Sequence, residues 1–116
     1  MKPLKVIEVN EYGITFEGGL TLSSYHAQDC CESHDLYFRD STLTDFEGLE
    51  FDLSNNNFFK RVVGYGIELL PIHGFPVRIA GYGSNNGYYS DQLDLVLTGD
   101  GVRRVFNITE CQEVNG

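Results

Sequence analysis

The chain has 116 residues, enough for one domain around one core. Seventeen acidic side chains against eight basic ones leave a net charge of −9, which excludes phosphate backbones and anionic membranes as electrostatic partners, since both need clustered Lys and Arg. Thirteen glycines, seven tyrosines and eight phenylalanines favour strands and tight turns over a helical bundle.

In chain order, residues 4–9 are β-branched and predict a strand, followed by a second at 12–16. Glu17-Gly18-Gly19 predicts a turn, because glycine reaches positive φ without steric cost. Leu20, Leu22 and Ser24 alternate with Thr21, Ser23 and Tyr25 as in a half-buried strand. Leu36 and Phe38 alternate with Asp35, Tyr37 and Arg39 and predict another. One short helix is expected near 42–50: Leu43, Phe46 and Leu49 fall three apart, and Thr44 with Glu47 has capping-box spacing. Residues 58–70 form an aromatic and β-branched stretch, bent at Gly64 and Gly66, and 75–80 a short strand. Asn86-Gly87 reads as a hairpin tip. Residues 87–97 read as the clearest strand, with Leu93, Leu95 and Leu97 on one face. Asp100-Gly101 predicts a hairpin returning through 102–108.

These elements predict a single domain over 1–116, mainly β and α+β at most. Its seven or eight short, mostly antiparallel strands would form a twisted sheet, a small barrel or a sandwich.

Residues 25–34, Tyr-His-Ala-Gln-Asp-Cys-Cys-Glu-Ser-His, concentrate more groups able to bind a metal, move a proton or attack an electrophile than any other segment. A zinc site would draw on His26, Asp29, Cys30, Cys31 and His34, but the ligands four residues apart meet only across a tight turn, not along a strand. A cysteine nucleophile is opposed by Asp29 and Glu32, whose charge raises a neighbouring thiol's pKa. The favoured reading is a structural corner between two strands, with Cys30 or Cys31 inward and His26 and His34 pointing apart at the rim. No catalytic residue and no cofactor are expected; zinc is the alternative.

Gly81 to Gly87 fails as a phosphate loop, because its third glycine is misplaced and a strand follows instead of a helix. No Gly-x-Ser-x-Gly, His-Glu-x-x-His or EF-hand loop occurs. The opening residues lack the apolar core of a signal peptide, and three cysteines make no disulfide framework, so the expected compartment is the cytoplasm.

Tyr25-His26-x-Gln28-Asp29-Cys30-Cys31-Glu32 and, later, Ser84-Asn85-Asn86-Gly87-Tyr88-Tyr89-Ser90-Asp91 resemble a family of small bacteriophage and bacterial mobile-element proteins, a domain of unknown function. The resemblance implies a bacterial cytoplasm and brings no activity. The expected function is a protein-interaction module for a host or phage protein with a basic surface. Its contact surface would comprise Asp29, Glu32, Asp35, Asp45, Glu47, Tyr82, Tyr88 and Tyr89. The alternative is a zinc-binding domain or metal-dependent hydrolase at residues 26–34.

Overall fold

The computed structural model describes residues 3–26, 33–54, 56–84 and 92–115. The described residues are mainly strand with only short helical turns, and the curled, mostly antiparallel sheets form a half-barrel.

The N-terminal run folds as expected. β1 (Leu4–Asn10) pairs antiparallel with β2 (Gly13–Phe16). Between them Asn10 Oδ1 accepts from the Tyr12 and Gly13 amides at 2.8 and 3.2 Å, an Asx turn that supplies the backbone partners a short reversal leaves open. Gly18 and Gly19 sit at φ 85° and 84°, and the chain returns as β3 (Thr21–Tyr25). β9 (Asp94–Gly99) and β10 (Val102–Asn107) close a hairpin whose two central residues, Asp100 and Gly101, both have positive φ. That matches the twist of a two-residue reversal. With β5 (Glu50–Phe51) these strands form a six-stranded sheet in the order β10-β9-β3-β2-β1-β5.

The second sheet is built on β8 (Val77–Ser84). Its first half pairs with β7 (Gly66–Leu69), which pairs in turn with β6 (Phe59–Val62). Its second half pairs antiparallel with β4 (Ser33–Leu36) and parallel with β11 (Glu113–Asn115). The core lies between the two sheets. Phe16 meets Phe51 edge-on at 5.7 Å, and Phe38, Phe46, Phe58 and Phe59 are buried with Leu22, Ile67, Leu69, Leu95 and Leu97. Val96, on the opposite face of β9 from the leucines, is buried too, because it lies between Ser23 of β3 and Val105 of β10.

Several expectations give way. The described residues hold eleven strands, not seven or eight, because short pairings such as β5 and β11 carry no alternation long enough to read. No α-helix forms near 42–50. Residues 43–46 make one 3-10 turn, and the amides of Asp45, Glu47 and Leu49 all reach back three residues. Its cap is two residues earlier than the spacing implies, with Asp45 accepting from the Thr42 amide at 2.9 Å. Phe46 alone in that turn is buried, and Gly48 at φ 79° ends the segment before β5. The strand expected to run to Arg39 stops at Leu36, and Phe38–Asp40 turn over to put Phe38 in the core. Gly64 is a hairpin turn between β6 and β7. Gly81 and Gly83 belong to β8 itself, not to a loop. The predicted tip at 86–87 lies outside the described residues.

Candidate functional site

The most polar interior position is where the two sheets meet. β3 ends at Tyr25 in the larger sheet, and β4 begins at Ser33 against β8, so the chain crosses between sheets within seven residues. Ser24 Oγ pins the crossing by accepting from the Leu36 amide at 3.1 Å. His26 and His34, at the two ends of this crossing, are brought together: their ring centroids are 4.5 Å apart, with planes inclined at 59°. This overturns the expectation that they point apart at the rim. His34 is 5% exposed, because it takes the inward alternation of β4 together with Leu36.

Each imidazole is held from outside the crossing. His26 Nδ1 contacts the main-chain oxygen of Gln92 at 2.5 Å, and His34 Nδ1 contacts Gln112 Oε1 at 2.8 Å. Gln112 is 5% exposed, and its Nε2 donates to Thr109 O at 2.9 Å. That bond leaves the Gln112 oxygen as the atom facing His34, so the ring carries its proton on Nδ1. The 107–112 turn is fixed in its place by Leu93, whose amide donates to Thr109 Oγ1 and whose carbonyl accepts from Ile108.

Glycine makes room for the arrangement. A Cβ on Gly83 would stand 2.2 Å from His34 Nδ1 and 2.4 Å from Gln112 Oε1, and one on Gly81 would stand 2.5 Å from the Cys111 oxygen. These two glycines are therefore the places where another chain segment lies flat against β8.

On the opposite face of β4 and β8, Asp35 stands across from Tyr82. Tyr82 packs edge-on against Tyr37 at 4.6 Å, and Arg39 lies over Tyr37 at 4.4 Å while pairing with Asp35 at 3.8 Å. Burial pushes the Asp35 carboxyl above its ordinary value, opposed by the charges of Arg39 and His34. Asp45 and Glu47 lie elsewhere. With Asp40 they wall an open groove of about 630 Å³ that Leu49, Phe75 and Val77 line with apolar surface. A second hollow of about 300 Å³ continues past Glu47 and Leu49 to Leu43. Phe75 is 89% exposed. Arg78, the one basic residue lining the larger groove, is engaged by Glu68 at 2.8 Å, which raises its pKa.

The expected contact surface is thus divided, with Asp35 and Tyr82 in one place and Asp45 and Glu47 in another. Asp29, Cys30, Cys31, Glu32, Tyr88 and Tyr89 lie outside the described residues. Among the described residues no group of three His, Cys, Asp or Glu side chains is placed to hold a metal, and no helix is long and apolar enough to cross a membrane. Sequence reasoning missed Gln92 and Gln112, which carry no motif and stand far along the chain from their histidines. It took Phe75 as the start of a strand.

The architecture defines a half-barrel β domain with an imidazole pair at the seam of its sheets. The chain belongs to the DUF7448 family, a domain of unknown function, whose model matches residues 2–95. No curated protein and no solved structure matches it. The match ends within β9, so Gln112, which orients His34, lies beyond the matched residues.

Proposed function

We propose that this domain is a protein-interaction module, an accessory protein of the bacteriophage or mobile-element type, which docks a basic segment of a partner protein in the groove beside Phe75. One observation carries the reading: a nearly fully exposed phenylalanine stands at an open groove walled by Asp40, Asp45 and Glu47. Covering a phenylalanine side chain contributes on the order of 2 kcal/mol. Carboxylates around it select a partner with Lys or Arg flanking an apolar residue, and they hasten its approach. The groove's own cation is already occupied by Glu68, so the wall presents net negative charge. Leu43, 49% exposed, extends the apolar surface in the adjoining hollow.

The test is an amide NMR titration of the full chain with a Lys/Arg-rich peptide carrying one leucine, beside its Glu-substituted counterpart. Shifts confined to residues 40–49 and 74–78 are expected with the basic peptide. They should weaken as salt approaches about 1 M, where the Debye length is about 3 Å. They should vanish in Asp45→Asn/Glu47→Gln/Phe75→Ala. Shifts centred elsewhere, or binding indifferent to salt and to that triple substitution, would overturn the reading.

A further inference from the structure

We propose that β10 is a docking edge, where an extended acidic segment of a partner protein adds as a seventh strand of the larger sheet. β10 ends that sheet and is paired with β9 on one side only. The direction of its hydrogen bonds follows from the hairpin. A two-residue turn is closed by a bonded pair, here Gly99 with Val102, and bonded pairs then recur at every second residue. The Ile108 amide, which donates to Leu93 O at 2.8 Å, keeps the same alternation. Val102, Arg104 and Phe106 therefore face β9, while Arg103, Val105 and Asn107 turn their amides and carbonyls outward. Arg61 Nε already occupies the Asn107 carbonyl at 3.0 Å. Among the described residues, nothing bonds the outward groups of Arg103 and Val105.

The backbone of the strand does not close this edge. β10 runs for six residues without proline, glycine or a break in register. At the other end of the sheet β5 is two residues long, and the Ile72 amide already takes the Glu50 carbonyl. Shortness and covering are how sheet edges are kept from pairing. An open edge is a surface on which an extended peptide gains main-chain bonds, with alternate side chains deciding which peptide fits.

Charge selects the occupant. β10 holds Arg103 and Arg104, Arg61 bonds its far end, and no acidic residue lies between Asp100 and Glu110, in a chain whose net charge is −9. Arg103 and Val105 project from the same face of the strand. Val105 is 47% exposed, and the Arg103 guanidinium bonds no described residue. An incoming antiparallel strand that fits them presents an apolar residue opposite Val105 and, two positions later, a carboxylate opposite Arg103. A second copy is opposed by the same charges. The antiparallel register that engages Arg103 and Val105 of both copies sets Arg104 against Arg104, a like-charge pair directly across the strands.

The experiment titrates the full chain with a short blocked peptide carrying Val-Thr-Glu at its centre, beside the same peptide with Lys in place of Glu. Amide NMR and hydrogen exchange are the readouts. With the acidic peptide, shifts along 102–107 are expected, and exchange at the Arg103 and Val105 amides should slow about tenfold at about 90% occupancy. Arg103→Glu should weaken the acidic peptide at least about tenfold and strengthen its lysine counterpart. Val105→Pro removes one outward amide and leaves the bonds to β9 in place, a change that edge strands tolerate, and should weaken binding about tenfold. Circular dichroism checks that each variant folds; should Val105→Pro unfold, Arg103→Glu decides by itself. Shifts centred elsewhere, an equal response to both peptides, or binding untouched by Arg103→Glu would overturn the proposal. So would a free chain that dimerises with its Arg103 and Val105 amides protected. The groove beside Phe75 is read at residues 40–49 and 74–78 with a basic peptide, so the two readings stand or fail independently.

Discussion

Gly83→Ala is the sharpest perturbation of the seam between the sheets. The added methyl group would stand 2.2, 2.4 and 2.7 Å from His34 Nδ1, Gln112 Oε1 and His34 Cε1. None of these atoms is the loose end of an exposed side chain, since His34 and Gln112 are each 5% exposed. Forcing one carbon into a packed interior costs about 1–3 kcal/mol. Separating the His34–Gln112 pair leaves buried polar groups without their bond, at about 1–3 kcal/mol more. The expected loss is therefore about 2–6 kcal/mol, or roughly 8–24 °C in Tm for a domain of this length. Urea unfolding should show the midpoint fall with an unchanged m-value. The control is the same substitution in a His34→Ala/Gln112→Ala background, where the obstructing atoms are gone. There it should be within about 0.5 kcal/mol of neutral, because Gly83 lies at an extended strand position where alanine is tolerated. A loss below about 1 kcal/mol in the natural background would refute the steric argument, and so would an equal loss in both backgrounds.

Phe16→Ala, at a fully buried ring packed edge-on against Phe51, should destabilise by about 3–5 kcal/mol in chemical denaturation; a loss under about 1 kcal/mol would contradict the placement of the core. The Asp52 carboxyl lies below its ordinary 3.8 chiefly because the Ser54 hydroxyl and amide bond its ionised form. Its contribution to stability is therefore present above pH 3.8 and is lost as pH falls through the lower folded value. Ser54→Ala should move the Asp52 titration back toward 3.8 by carboxyl NMR, and an unmoved titration would rule out the hydroxyl as the main cause. Cys111 is fully buried, and its thiol is pushed up by that burial and by Glu110. In Cys30→Ser/Cys31→Ser, a thiol reagent should therefore modify it only as fast as the chain unfolds; prompt modification without denaturant would contradict the burial.

Alternation and turn chemistry are local properties, and they were legible. Residues 4–25 and 93–107 read correctly as strands and hairpins because each side chain's face follows from its neighbours two positions away, and because Gly18-Gly19 and Asp100-Gly101 reach positive φ. The 42–50 segment misled because three-residue spacing suits a 3-10 turn as well as an α-helix, and Gly48 halts it after one turn. Gly81 and Gly83 fit no phosphate loop, and their role was not legible, because a sequence shows glycine's freedom but not the segment packed against it.

The sequence by itself determined a β-rich, acidic domain with short turns and one segment dense in potential ligands. It could not determine that His26 and His34 face one another. That depends on β3 and β4 lying in different sheets, and on Gln92 and Gln112 arriving from distant parts of the chain to hold the two rings. Nor could it place Phe75 beside Asp45 and Glu47, which are separated from it by three strands. Local preference sets which way each side chain faces along its own strand. Which faces then meet is decided by long-range strand pairing and burial, and both sites arise at those meetings.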